Sequence, residues 1–279
     1  MPGTTRNRDR VAELCSEATG LSYRTARAWV AGGLITRQCP VPDADHPDQR
    51  ALEAEMVLQL ATQGAPAGAL LGFTRIVPRR DGLDLWLRPD AAHQVLGSLL
   101  PRWDLKFGVP RGILGLRPAR EDDSVRLRSL VHRGSVLLRH PDPGWAASFF
   151  AAKPCFAHFW KDSLDRLNED EQEWLREPPE GETDPDRDRL LSRLMRRSRF
   201  LGTGGHVQKW TGTYSWERRE LAIEWRCATE PEDLAALLRR SGLTAGPSGA
   251  MQRTGCTLAL GGAAVTVRRP RPEYACSTC

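Results

Sequence analysis

Four groups of residues in this 279-residue chain combine side chains whose chemistry goes beyond packing. Cys155 and His158 stand as C-x2-H, and Cys276 and Cys279 as C-x2-C at the end of the sequence. Thiolates and an imidazole at this spacing are zinc ligands, so a tail that folded back would complete a Cys3His structural zinc site. Each half alone is a weak signal, and the favoured expectation is no cofactor. Glu217, Glu220 and Glu224 lie on strand-like sequence, with Glu220 and Glu224 on one face. With His206 as the nearest base, such acids would hold Mg²⁺ and position water in a nuclease. A solvated strand edge explains them better.

The other two groups could hold nucleic acid. Trp210, Tyr214 and Trp216 share one parity on a strand, and Lys209, Arg218 and Arg219 lie close by. Rings on a sheet flanked by cations are how single strands are stacked and held. The favoured alternative is that this face is core under the helix that follows. The segment DRDRLLSRLMRRSRFLG places Leu190, Leu191, Leu194 and Met195 on one side of a helix. Arg193, Arg196 and Arg197 would then neutralise phosphates along a backbone. An ordinary surface helix, paired with the acidic run at Glu169–Asp188, is favoured over that. Residues 75–140 add 13 Arg or Lys against 7 Asp or Glu, a surplus of +6. If their strands form an open face, it would suit a duplex or a folded RNA.

The elements that must position these groups begin at Arg10–Ile35, RVAELCSEATGLSYRTARAWVAGGLI. Val11, Leu14, Cys15 and Ala18 recur at helical spacing, and Gly20 breaks the pattern. Ser22 is placed to cap a second helix, with Leu21 and Ala26 at the two positions of a hydrophobic staple. Gly32-Gly33 supplies a left-handed stop. Glycine at the turn, Leu21 after it and small Ala26 make this stretch resemble the helix-turn-helix superfamily, although Ser16 stands where an alanine is usual. The resemblance covers only these residues. It implies a recognition helix presenting Ser22, Tyr23, Arg24, Thr25, Arg27 and Ala28 to double-stranded DNA.

Downstream, Asp45 or His46 opens an amphipathic helix, with Pro47 near its first turn, that runs to about Gln63, ends at Gly64 and either completes a core or pairs with a second copy as a homodimer. GFTRIVP and LDLWLRP read as a hairpin, AAHQVLGSLLPR as a helix capped by Asp90, and RGILGLRPA and SVRLRSLV as strands joined at Asp122-Asp123. Near the C-terminus the same order returns in HVQKWTGTYSW, RELAIEWRC, a helix from Pro231, CTLAL and AAVTVRR. The fold class is therefore α+β: an N-terminal helix-turn-helix, then a duplicated ββαββ unit with a helical insert between the halves. Its domains would be 1–64, 65–142, 143–202 and 203–279.

Composition bounds the function. Hydrophobic residues at 40% and charged residues at 27% describe a globular chain, and a net charge of +5 leans towards an anionic partner. Only four of the 40 basic residues are lysine, as GC-rich coding produces, so the arginine excess is discounted as a phosphate signal. No signal peptide precedes the first helix, and Ala65–Phe73 is too short to cross a bilayer, so a cytoplasmic protein is expected. The motifs G-x-x-x-x-G-K, G-x-S-x-G and H-E-x-x-H are absent. The leading expectation is a non-enzymatic DNA-binding protein, a transcriptional regulator or mobile-element accessory factor. The first alternative is a nucleic-acid-processing enzyme, nuclease-like, or a single-strand-binding protein built on the ββαββ units. The second is an interaction module that does not bind nucleic acid.

Overall fold

The computed structural model describes residues 3–62, 70–152, 158–176, 184–202, 210–215, 219–225, 230–244, 251–252 and 255–269. Helix α1 (Gly3–Thr19) and helix α2 (Tyr23–Ala31) meet at Gly20, whose φ of +76° only glycine adopts freely. A Cβ on Gly20 would also lie 2.9 Å from the Thr74 carbonyl, so the turn is pressed against the first sheet. The Thr25 N–H donates to Ser22 Oγ at 3.1 Å, the expected cap. Leu21 and Ala26 close a small core with Val11, Ala12, Cys15 and Ile35. Gly33, at φ +72°, makes the left-handed stop alone, because Gly32 stays at φ −79°.

Helix α3 (Pro47–Thr62) takes the first of its two expected roles, completing a core, and it is apolar on nearly every side rather than amphipathic. Leu52, Ala54, Met56, Val57, Leu60 and Ala61 bury it on nearly every side, together with the polar Gln49 and Glu53. A helix apolar all round belongs inside a protein, and α3 is accordingly enclosed within its own chain.

The first sheet uses β1 (Phe73–Pro78), β2 (Leu83–Leu87), β5 (Leu116–Glu121), β6 (Ser124–Ser129) and β7 (Ser135–Arg139). Helix α4 (Ala92–Leu99) follows β2, with Ala91 at its cap position; Asp90 pairs with Arg88 and does not cap. The expected single strand RGILGLRPA divides in two. Its first residue, Arg111, ends β4 (Val109–Arg111), which forms a separate hairpin with β3 (Arg102–Asp104). Gly112 and Gly115, at φ +83° and +74°, turn the chain into β5. Strand order is β1-β2-β7-β6-β5, with β2 and β7 parallel.

The insert holds α5 (Trp145–Ala151), α6 (Phe159–Asp162), α7 (Glu169–Arg176) and α8 (Pro185–Arg196). The acidic run expected to be a solvated loop contains α7, and its Glu171 is fully buried. Glu171 binds both terminal nitrogens of buried Arg117 and accepts the Gly115 N–H at 2.8 Å.

The second sheet uses β8 (Trp210–Ser215), β9 (Glu220–Trp225), β10 (Met251–Gln252), β11 (Gly255–Leu260) and β12 (Ala263–Arg268), with α9 (Pro231–Arg240) after β9. Its order is β8-β9-β12-β11-β10, with β9 and β12 parallel. Both halves therefore read hairpin, helix, three strands, with the last strand beside the second. The repeated unit is ββαβββ; β7 and the short β10 are the strands missing from the expected ββαββ. One hydrophobic cluster runs from Ala18 through α3, the first sheet and α8 to Val267. No helix among the described residues is long and apolar enough to cross a membrane.

Helix α8 overturns both readings of the basic helix. Arg196 is fully buried and grips Glu53 on α3 with Nε at 2.8 Å and Nη2 at 2.7 Å. Its Nη1 also donates to the Pro42 and Arg79 carbonyls at 2.9 and 2.8 Å. Arg197 donates to the Ser241 carbonyl at 2.8 Å, and Arg193 binds Asp43 at 2.6 Å. These arginines join the N-terminal connector, the first sheet and α9 from the inside. None of Arg193, Arg196 and Arg197 faces a nucleic-acid backbone.

Candidate nucleic-acid interface

Strand alternation sends Leu83, Leu85, Leu87, Val125, Leu127, Val136 and Leu138 into the core, so the residues between them line the opposite face of the first sheet. Register brings Arg75, Trp86, Arg139, Ser124 and Glu121 into one row across all five strands. A second row holds Val77, Asp84, Leu137, Arg126 and Ala119, and a third sets Ser135 beside Arg128 and Arg117. Segment 163–171 covers the Arg117 end, where the Ser163 and Arg166 carbonyls accept from Arg117. Arg75 and Arg128 are exposed.

The face is an arginine–tryptophan surface on which two of the three acids, Asp84 and Glu121, are already paired with arginines. The Arg75 guanidinium lies 4.0 Å from the Trp86 ring centre and that of Arg139 lies 5.3 Å from it. Such contacts fix long cationic side chains in place without removing their charge. Buried Asp84 accepts Arg79 Nε at 3.3 Å and Nη2 at 2.9 Å. Glu121 accepts Arg126 in the same two-point manner. Accordingly, hydrogen bonding to Asp84 raises Arg79 above the usual arginine value, and the bond to Arg126 holds Glu121 below the usual carboxylate range. A depression of about 350 Å³ opens between Arg79, Asp81, Asp84, Glu121, Arg126 and Arg139. Five arginines (Arg75, Arg79, Arg126, Arg128, Arg139) against three carboxylates (Asp81, Asp84, Glu121) leave the face at +2. With Asp84 and Glu121 each held at both oxygens, the depression suits an anion better than a metal cation.

The expected site residues scatter. Ser22, Tyr23, Arg24, Thr25, Arg27 and Ala28 do lie along the outer side of α2, but Tyr23 Oη donates to Asp9 at 3.0 Å and Arg27 Nε lies 3.5 Å from the same carboxylate. The strand register pairs Tyr214 with Leu221, a core residue, and Trp210 with Trp225. Lys209, Trp216, Glu217 and Arg218 lie outside the described residues, as do His206, Cys155, Cys276 and Cys279. His158 precedes α6, where burial pushes its imidazole below the ordinary value. Among the described residues no three His, Cys, Asp or Glu side chains converge on a metal position. Glu220 and Glu224 lie on β9, an interior strand and not an edge, where Glu224 pairs with Arg268 at 3.4 Å. The arginines of this face belong to the basic surplus of residues 75–140. The alternation of Arg126 and Arg128 with Val125 and Leu127 was the available signal.

Methionyl-tRNA formyltransferases from two strains of Mycobacterium leprae are each 31% identical to this chain over 117 residues. The match takes in 36% of this chain and spans only 37% of the relatives' length. No family model matches the chain, and no solved structure matches it. The similarity is to an enzyme, and it overturns the expectation of a DNA-binding transcriptional regulator or mobile-element accessory factor. The alternative of an enzyme acting on nucleic acid agrees with it better.

Proposed function

We propose that this protein acts on RNA in the cytoplasm, with a transfer-RNA-class molecule as substrate, held on the open face of the first sheet. The observation that carries the reading is the register-matched arginine face around Trp86. Five strands span about 19 Å at the usual strand spacing, enough to lie along a helical backbone. Arginine forks suit phosphate oxygens, and the wide, shallow minor groove of A-form RNA accepts a surface of this kind. The partial similarity to enzymes whose name specifies a tRNA substrate points the same way.

Equilibrium titration of an unmodified tRNA transcript and a duplex DNA of equal length, at several salt concentrations, tests this. The tRNA is expected to bind more tightly at every salt concentration. Arg75→Ala with Arg128→Ala should lower the logarithmic salt slope by about one to two, since each phosphate contact contributes roughly 0.7–0.9. Equal affinity for both nucleic acids, or a slope unchanged in the double variant, would refute the reading.

A further inference from the structure

The β3–β4 hairpin projects two large apolar side chains into solvent: Leu105 is 83% exposed and Phe107 59%. We propose that this hairpin is a nucleotide-stacking finger, in which Phe107 takes the face of an unpaired base and Lys106 and Arg111 take the adjoining phosphate. The inference rests on the RNA reading above and specifies what that RNA must present. Lys106 Nζ lies 5.1 Å and the Arg111 guanidinium 5.4 Å from the centre of the Phe107 ring. An unpaired nucleotide offers a π face and a negative charge side by side, which is the complement of this tip.

The tip is built to hold that geometry. Asp104 Oδ1 accepts the Lys106 and Phe107 N–H groups at 3.0 and 3.3 Å, and Asp104 Oδ2 meets Arg111 Nε at 3.3 Å. Gly108, at φ +63°, donates to the Asp104 carbonyl at 2.8 Å. At the base, the Arg102 backbone pairs with that of His158 in an isolated antiparallel β-bridge, and Trp103 packs edge-on against Phe159 at 6.1 Å. A Cβ on Gly112 would lie 2.4 Å from the Leu100 carbonyl, so the finger meets the body at a close backbone contact. A preformed tip loses little entropy on binding. Charge selects the occupant: Lys106 and Arg111 flank the Phe107 ring, and the one acid of the hairpin, Asp104, has its oxygens engaged in the turn. An apolar protein groove would offer Lys106 no anion. Two side chains would bury less apolar surface in a bilayer than the single acyl chain that anchors a protein only marginally.

The test uses the full-length protein and two RNA duplexes, one blunt and one carrying a single bulged 2-aminopurine. Wild type should bind the bulged duplex at least about 5-fold more tightly and quench the 2-aminopurine fluorescence. Phe107→Ala should abolish both effects and leave the blunt-duplex affinity unchanged, while Phe107→Trp should keep them. Arg75→Ala should weaken both duplexes equally and preserve the preference. If wild type binds both duplexes alike, or Phe107→Ala keeps the preference, the finger is refuted and the RNA reading survives. If neither RNA binds, both readings fall. Binding to anionic phosphatidylglycerol vesicles that Phe107→Ala removes would assign the tip to a membrane and overturn the proposal.

Discussion

Glu171 shows at residue scale why an acidic run need not be solvated. Burial alone would raise its carboxyl, yet Arg117 and the N–H groups of Gly115 and Asn168 outweigh that and hold it below the usual carboxylate value. The sign of its pH dependence follows. A folded value below the unfolded one contributes stability that is in place above the unfolded value near 4.5 and is lost as pH falls through the folded one. Glu171→Gln is therefore expected to cost about 3–5 kcal/mol near neutral pH, because Arg117 remains buried without its counter-charge. Urea unfolding at pH 7 and pH 3 checks it. The gap between variant and wild type should shrink at the lower pH, and an equal gap at both would mean that packing, not charge, explains the loss. Nothing within the run marks Glu171, whose partner Arg117 is 54 positions away.

At the scale of elements, what was legible in sequence was what neighbouring residues decide. Gly20, Ser22 and Ala26 specify the turn, cap and contact of the N-terminal helices within seven residues, and the structure has all three. Pro231 and Gly242 bound α9 in the same local way. Helix α8 was misread because its arginines look solvated until Glu53 and Asp43, more than 130 positions earlier, are placed against them. Strand β7 was missed because Ser135–Arg139 is short and takes its place by parallel pairing with β2, which local sequence does not encode. The matched topology also shows one register position used in two ways. The row Arg75, Trp86, Arg139 corresponds to Thr211, Glu224, Arg268, so a ring between cations in one half is an ion pair in the other. The β11–β12 turn joins this second unit to α8. A Cβ on Gly261, at φ +57°, would fall 1.9 Å from Asp186 Oδ2, the atom that accepts the Gly262 N–H at 3.0 Å. Gly261→Ala should cost about 1–3 kcal/mol and lower Tm by several degrees. Paired with Asp186→Ala it should cost less, because the clash is removed; a Tm unchanged in the single variant would show that the turn relaxes freely.

At the scale of the whole molecule, the two sheets and the central helices share one core, so the halves are not independent units despite their common topology. Arg196 and Glu53 link α8 to α3, and Arg197 reaches Ser241 beyond α9. Removing either half would expose apolar surface that the other now covers. The two units are therefore expected to unfold together. Circular dichroism and calorimetry should give one coincident transition, with the van't Hoff and calorimetric enthalpies in agreement. The same melt can report on the proposed RNA. A ligand that binds the folded state at 100 times its Kd adds about 2.7 kcal/mol, so tRNA should raise the shared transition by several degrees. Because the proposed RNA face belongs to the first sheet and the core is common, the whole transition should move. Two transitions, with only the earlier or later one shifted by tRNA, would mean that the halves fold separately and that the shared core does not couple them.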